Sequence, residues 1–311
     1  MSLETQIRTK GAELGFDRVG ITTAAPLEPL YAAYHTQWLA KGCAARMGWL
    51  HRNNDKRFAP AKLLESAQSV ICIALNYRPR KDELSNTAAL SISRYALYDD
   101  YHDFIKSRLF ALAAYIQSLC PDQHLKFKAC VDAIPLAERA LAQRAGLGFI
   151  GRNHCLINPD LGVQLWLGEL LTTLPLKPDT PLSNDDFCAG CNKCIAACPT
   201  GALGRDGSFD ARKCLSYLTI EEPEAIDEKI ASTVGGRLFG CDACITACPY
   251  EKNAPPRANA DLRFHSERLN LHPEAVLNWT QTDFDAVCSG SPLQRLGLQR
   301  LQRNARLAVS Q

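Results

Sequence analysis

The chain has no apolar run long enough to cross a membrane and, at its start, no hydrophobic core of signal-peptide length. A bilayer-spanning helix needs about 20 consecutive apolar residues, so a helical membrane protein is excluded. No twin-arginine pair stands in the opening MSLETQIRTKGAELGFDRVG, so export by that route is not expected. Charge of one sign is also missing. The 35 Lys and Arg against 33 Asp and Glu leave a formal net charge of +2, so any contact with nucleic acid must come from a local basic surface. No internal repeat is visible beyond two groups of cysteines. Hydrophobic residues at 46% and charged residues at 22% are ordinary for a globular chain, and 311 residues are enough for one large domain and a smaller one.

What the chain does have is cysteine, 14 in all. Eight fall in one stretch: Cys188, Cys191, Cys194 and Cys198 before a proline, then Cys214, then Cys241, Cys244 and Cys248 before another proline. Three thiolates spaced by two residues can hold three corners of one iron–sulfur cube from a single loop. The fourth, beside its proline, points to the neighbouring cube. The spacing therefore predicts two [4Fe–4S] clusters, one on Cys188, Cys191, Cys194 and Cys248 and one on Cys198, Cys214, Cys241 and Cys244. In the second set Cys214 stands in for a missing member of the run. Zinc knuckles pair two CxxC units across a longer gap, and the CxxCxxCxxxCP run does not suit tetrahedral closure. Thiolates that hold iron must stay reduced, so a cytoplasmic location is expected.

Up to about residue 178 the chain reads as mixed helix and strand. Leu3, Ile7 and Leu14 suggest an amphipathic opening helix, followed by a strand at Arg18–Thr22. Ser69–Tyr77 and Ala89–Tyr95 are apolar runs of strand character, and Asp100–Leu119 has helical periodicity. Leu125–Val131 is a further strand, and Pro135 is expected to open a helix reaching about Ala145. Cys155–Ile157 and Val163–Thr173 are expected to pair as a hairpin around residues 158–162. The Pro-rich joint at 175–181 marks a boundary. This gives residues 1–178 as a first domain, 179–256 as a cysteine domain and 257–311 as a helical tail.

Several motifs carry two readings. Gly146-Leu147-Gly148-Phe149-Ile150-Gly151 fits the dinucleotide expression GxGxxG. Such a loop must leave a strand and open a helix, whereas these glycines follow a predicted helix, so a helix C-cap and turn is expected. Asp132 ends an apolar strand just before Pro135 and reads either as a turn aspartate or as a proton donor at the mouth of a pocket. Burial beside a bulky group would raise its pKa and keep it protonated. Residues 94–102 form a polar and aromatic knot suited to packing, to a cofactor face or to stacking on a base; His102 alone is a weak ligand candidate. Arg295, Arg300, Arg303 and Arg306 lie in a tail without acids, either as a solvated face or as phosphate contacts. Cys43, Cys72, Cys120, Cys130, Cys155 and Cys288 are scattered and read as packing residues.

Together these segments resemble epoxyqueuosine reductase, a cobalamin- and iron–sulfur-dependent family of tRNA-modifying enzymes. The matching stretches include Met47-Gly48-Trp49-Leu50 with Arg57, residues 69–77 and 94–102, and Val131-Asp132-Ala133-Ile134-Pro135-Leu136-Ala137-Glu138-Arg139. They continue through residues 146–153, Leu167-Gly168-Glu169, the eight cysteines, residues 214–221 and the tail at 291–308. The resemblance implies an α+β chain: a nitroreductase-like cobalamin-binding domain, a two-[4Fe–4S] ferredoxin-like domain and a short helical tail. It implies reduction of epoxyqueuosine to queuosine at the wobble position of tRNA, with low-valent cobalamin fed through the clusters and Asp132 protonating the departing oxygen. Arg57, Tyr95, Asp132, Asn153 and Ser216 become the expected cobalamin neighbours. No Asp-x-His-x-x-Gly sequence is present, which fits cobalt without a histidine ligand.

The expected partners are a tRNA carrying epoxyqueuosine and an external flavodoxin or ferredoxin system, with a monomeric enzyme and no membrane. Many members continue into a helical-repeat extension, so the tail arginines are expected to carry more of the RNA contact in this chain. Two other readings share part of the pattern. A reductive dehalogenase uses cobalamin and two clusters but is typically exported and typically uses a tyrosine as proton donor. A ferredoxin-type electron carrier has no need of so long an N-terminal domain.

Overall fold

The computed structural model describes residues 1–84, 91–182 and 187–309. Its centre is a four-stranded antiparallel sheet in the order β1-β2-β6-β3, from β1 (Arg18–Thr23), β2 (Ser69–Asn76), β3 (Phe127–Cys130) and β6 (Leu165–Thr172). Two short strands, β4 (Phe149–Ile150) and β5 (Leu156–Ile157), pair separately. Every residue of β2 is buried, which requires cover on both faces of the sheet. Its side chains alternate accordingly. Ile71, Ile73 and Leu75 join Ile7, Ile105, Leu109 and Leu112 in one layer. Val70, Cys72 and Ala74 join Ala140, Leu141 and Leu171 in the other.

The first layer is supplied by α1 (Leu3–Glu13) and α4 (Tyr101–Leu119), the second by α5 (Glu138–Arg144). Helix α4 sits close to the sheet because Gly168 has no side chain, and a Cβ there would meet Ile105 Cγ2 at 2.8 Å. Between these lie α2 (Pro29–Ala40) and α3 (Asn54–Arg57). Short helices α6 (Lys193–Ala196), α7 (Leu215–Ile220), α8 (Glu228–Ala231), α9 (Ala243–Thr246) and α10 (Pro249–Asn253) follow in the cysteine segment. The tail carries α11 (Pro273–Leu277), α12 (Gln281–Cys288) and α13 (Leu298–Val309). Val276, Phe284, Leu293, Leu296, Leu301 and Ala305 of the tail belong to the same core as Ile71 and Ile105.

Most of the expected elements form, with boundaries moved by local chemistry. The helix expected from Pro135 begins at Glu138, because residues 131–136 are taken up by two three-residue turns, Ala133 N–H to Val131 O and Leu136 N–H to Ile134 O. The expected hairpin does not form. β5 pairs with β4, and β6 lies between β2 and β3. The turn between them closes on a single Asn158–Gly162 bridge, with Asn158 Oδ1 accepting the N–H groups of Asp160 and Leu161. Of the run expected as a strand at Ala89–Tyr95, residues 89–90 lie outside the described residues. Beyond them Ile92 makes one bridge to Phe239 and the chain turns at Arg94–Leu97, held by Ser93 N–H to Phe239 O and Arg94 N–H to Asp242 Oδ2. The glycine-rich stretch is a helix end, as expected. α5 stops at Arg144, Gly146 takes φ +75°, and an extended strand follows.

Candidate active site and cluster-binding cysteines

The two CxxC loops each run into one turn of helix, α6 and α9, which pack against each other. Cys214 and Cys248 both stand at the N-cap of a helix, the latter followed by its proline at the first helical position. The thiols divide electrostatically into two neighbourhoods. Burial raises the Cys214 thiol, and the nearby charges that add to this are Cys241 and Cys198. Cys244 is raised by burial and feels Cys155, Cys214 and Cys241. Cys194 feels Cys188 and Cys191, and Cys248 feels Cys188.

Cys198 differs: burial pushes its thiol up, but the N–H groups of Leu203, Thr200 and Ala202 outweigh it and hold the thiol below its usual value. Such donors favour thiolate. Among the described residues no three His, Cys, Asp or Glu side chains converge on one point as around a single ion. The corners of a cube lie apart, however, and an all-thiolate set of four is the donor composition a [4Fe–4S] cube takes.

Asp132 stands two residues beyond β3 in the left-handed region, at φ +50°, which favours glycine and carries strain for a side chain. Its Oδ2 accepts the Tyr101 hydroxyl at 2.8 Å and lies 3.4 Å from His102 Nε2. The other ring nitrogen of His102 is 2.6 Å from Asp100 Oδ1. Asp100 caps α4 by accepting the His102 N–H at 2.9 Å, so one aspartate fixes both the helix start and the imidazole. The Asp100 bond, then the Asp132 bond, pushes His102 up to about 9. The His102 hydrogen bond outweighs burial and pulls the Asp132 carboxyl below its usual value, and half of the side chain is exposed (53%). The proton that is present at neutral pH therefore sits on His102 and Tyr101, beside Asp132 rather than on it.

Tyr95 lies edge-on to Tyr101 and tilted against Phe239. Arg57 and the residue after Asn153 are tied to the segment that follows Asp132. The Ala137 N–H donates to Arg57 O, and Arg139 of α5 donates to His154 O. Arg57 Nε, Asn153 Nδ2 and His154 Nε2 are buried without a hydrogen-bond partner, beside an aromatic wall in which His154 contacts Tyr34 and Phe209 and Phe209 stacks on Trp38. Buried donors left open beside aromatic rings fit a large, flat, amide-bearing ligand such as cobalamin. The backbone N–H of Ser216 points to the Cys214 thiol.

The four tail arginines do not make one free basic face. Arg300 donates to Ile220 O, Leu296 O and Arg295 O. Arg303 donates to Leu218 O, Glu222 O and Glu224 O, capping the carbonyl end of α7. Arg295 is paired with Glu221 at 2.6 Å, and Arg306 is exposed. Sequence reasoning gave His102 little weight and no role to Tyr101, Glu138 or Glu169. The readable signal was Asp100-x-His102 at a helix start, where capping brings the two side chains together.

Two family models match the chain. Residues 57–133 match "Epoxyqueuosine reductase QueG, DUF1730" and residues 187–251 match a 4Fe-4S double cluster binding domain. The epoxyqueuosine reductase of Salmonella typhimurium is 37% identical over 316 residues, covering 99% of this chain and 79% of the relative. Among solved structures, an epoxyqueuosine reductase with a tRNA-Tyr epoxyqueuosine-modified stem loop superposes with a TM-score of 0.89 at 29% identity, covering 99% of this chain and 81% of that one. A Bacillus subtilis epoxyqueuosine reductase, whose catalytic aspartate loop is swung out of the active site, gives 0.88 at 28% identity with the same coverage. With relatives so similar along nearly its whole length, this chain belongs to the epoxyqueuosine reductase family.

Proposed function

We propose that this protein reduces epoxyqueuosine to queuosine in tRNA, with Asp132, Tyr101 and His102 handling the proton that the departing oxygen requires. In this reading residues 1–178 form the nitroreductase-like cobalamin domain, 179–256 the cluster domain and 257–311 a tail that touches RNA. Cys188, Cys191, Cys194 and Cys248 hold one [4Fe–4S] cube; Cys198, Cys214, Cys241 and Cys244 hold the other. An external reductant of the flavodoxin or ferredoxin class feeds them. Arg57, Tyr95, Asn153 and Ser216 line the cobalamin site, with the open donors of Arg57 and Asn153 turned to its amides. When bound and reduced, cobalamin supplies the electrons that break the epoxide C–O bonds.

The net change consumes two electrons and two protons for each oxygen released as water. The chain's own part is the proton. Without a donor the oxygen leaves as an alkoxide, a far poorer leaving group, and positioned general acids are typically worth about 10²–10⁴-fold. Asp132 presents its carboxyl half exposed, while His102, charged below about pH 9, stands behind it as the source. The observation that carries this reading is the hydrogen-bonded row Asp100–His102–Asp132–Tyr101, where the start of α4 meets the Asp132 loop. Arg295 and Arg306 are left to meet phosphate, while Arg300 and Arg303 hold the tail in place.

The test is Asp132→Asn, loaded with clusters and cobalamin and offered tRNA bearing epoxyqueuosine. Retained iron and cobalamin spectra with turnover down at least a hundredfold support the assignment. Near-normal formation of the queuosine nucleoside removes Asp132 from its role.

A further inference from the structure

Behind the Asp132 loop lie two carboxyls to which the reading above gives no task. Glu169 is at the middle of the sheet, on β6, in register with Cys72 of β2 and Cys130 of β3. It is fully buried, neither carboxylate oxygen meets an amide, ammonium or alcohol donor, and the group it faces is the Glu138 carboxyl. Glu138 opens α5 and turns its Oε1 to the backbone N–H of Asp132, at 2.7 Å. This is the anchor for an aspartate held at φ +50° between tight turns. The groups facing the pair are Asp132 on the loop, Arg139 on α5, Tyr101 on α4, and the thiols of Cys72 and Cys130. Arg139, the cation among them, turns to His154 O.

Two carboxyls in contact, one of them fully buried, cannot both ionise. Burial, then the charge of the Glu138 neighbour, pushes Glu169 far above the carboxylate range. Burial and then the Asp132 charge push Glu138 up to about 7. Only one member of the pair has a donor to accept, so the charge falls on Glu138.

We propose that Glu169 and Glu138 act as a proton-sharing latch that positions Asp132: Glu169 keeps the proton, and Glu138 keeps the charge that grips the Asp132 N–H. Both are positioning residues, and the proposal rests on the reading of Asp132 as the acid. A charged acceptor holds an N–H more strongly than a neutral one. The latch therefore tightens as Glu138 ionises, and loosens when both carboxyls carry protons. Glu169, holding the proton, hydrogen-bonds Glu138 and favours its charge, so removing that donor makes Glu138 ionise only at higher pH.

The test is amide hydrogen exchange at Asp132 in the cluster- and cobalamin-loaded protein, expressed as protection relative to the intrinsic rate across pH 5 to about 9. Glu138→Gln keeps an acceptor of the same shape without charge. It should cut protection at Asp132 by about tenfold, the ratio expected when a charge-assisted hydrogen bond becomes neutral, and abolish its pH dependence. Protection in β2 and β6 should not change. Glu169→Leu, which removes the Glu169 donor, should move the onset of protection to higher pH, whereas Glu169→Gln, neutral and still a donor, should leave it in place, and the two keep the test open should Glu138→Gln fail to fold. Asp132 protection indifferent to Glu138→Gln overturns the latch, as does equal loosening by Glu169→Gln and Glu169→Leu, which is what lost packing would give. If these shifts appear while Asp132→Asn still turns over, the latch stands and the acid lies elsewhere. If Asp132→Asn is inactive and the shifts are absent, the acid reading stands and the latch falls.

Discussion

Replacing Asp100 with Asn should leave the fold and the cofactors in place while moving the pH dependence of turnover. Asn caps a helix about as well as Asp, so α4 keeps its N-terminus. What is lost is the negative charge 2.6 Å from His102 Nδ1, the first of the two contacts that push His102 up to about 9. With Asp132 alone facing the ring, the midpoint should fall part of the way to the ordinary value of about 6.5, to roughly 7.5. At pH 8 the protonated fraction then drops from about nine-tenths to about one quarter. Turnover at pH 8 falls about fourfold, with almost no change at pH 6.

The assay is single-turnover reduction of epoxyqueuosine tRNA with chemically reduced enzyme, so that electron supply does not limit the rate. An NMR titration of the His102 ring should be run beside it. A ring midpoint that moves while the rate profile stays fixed would show that His102 is not the proton source. A midpoint that stays near 9 would refute the electrostatic argument itself.

Cys198→Ala should lose roughly half of the iron and leave one [4Fe–4S] spectrum, since the other cube does not use that thiolate; loss of all iron would show that the two sites fold as one. The half-buried Glu138 and the buried Glu169 bind protons in the folded state above the pH at which they release them when unfolded. Stability contributed by this pair is therefore highest near pH 4.5 and falls as pH rises through about 7, by up to about 1.4 kcal/mol per pH unit for each extra proton held. Urea midpoints across pH should show a shallower slope in Glu169→Gln. Arg303→Met strips donors from Leu218 O, Glu222 O and Glu224 O and should cost about 2–4 kcal/mol in urea unfolding. Arg306→Gln should instead leave stability alone and make the salt dependence of tRNA binding shallower by about 0.7–0.9 in the log–log slope.

Much of this chain is legible before folding. A double-cluster segment is one such feature, and the proposed division of its eight cysteines into two sets rests on loop reach, because a CxxCxxC run can wrap only one cube. The apolar runs at 69–77 and 163–173 announce buried strands, since only a sheet covered on both faces buries every residue of β2. The refusal of a dinucleotide reading for 146–151 also follows locally, from a helix that ends where a phosphate loop would need one to begin.

The partners of each strand were not legible. β6 is apolar throughout, and an unbroken apolar run does not say which neighbour it pairs with, so the expected hairpin gave way to pairing with β2 and β3. The fate of the tail arginines was equally hidden. Helical spacing shows a basic stripe, but only packing beside the end of α7 turns Arg300 and Arg303 toward carbonyls. The site divides the same way. Sequence alone nominated the cluster ligands and singled out Asp132, because those proposals are read from residue type and spacing along one segment. Tertiary structure decided where the proton sits. It brings Asp100, His102 and Tyr101 from α4, and Glu138 and Glu169 from α5 and β6, around one loop, and a pKa depends on what surrounds a group in space rather than on what precedes it in the chain.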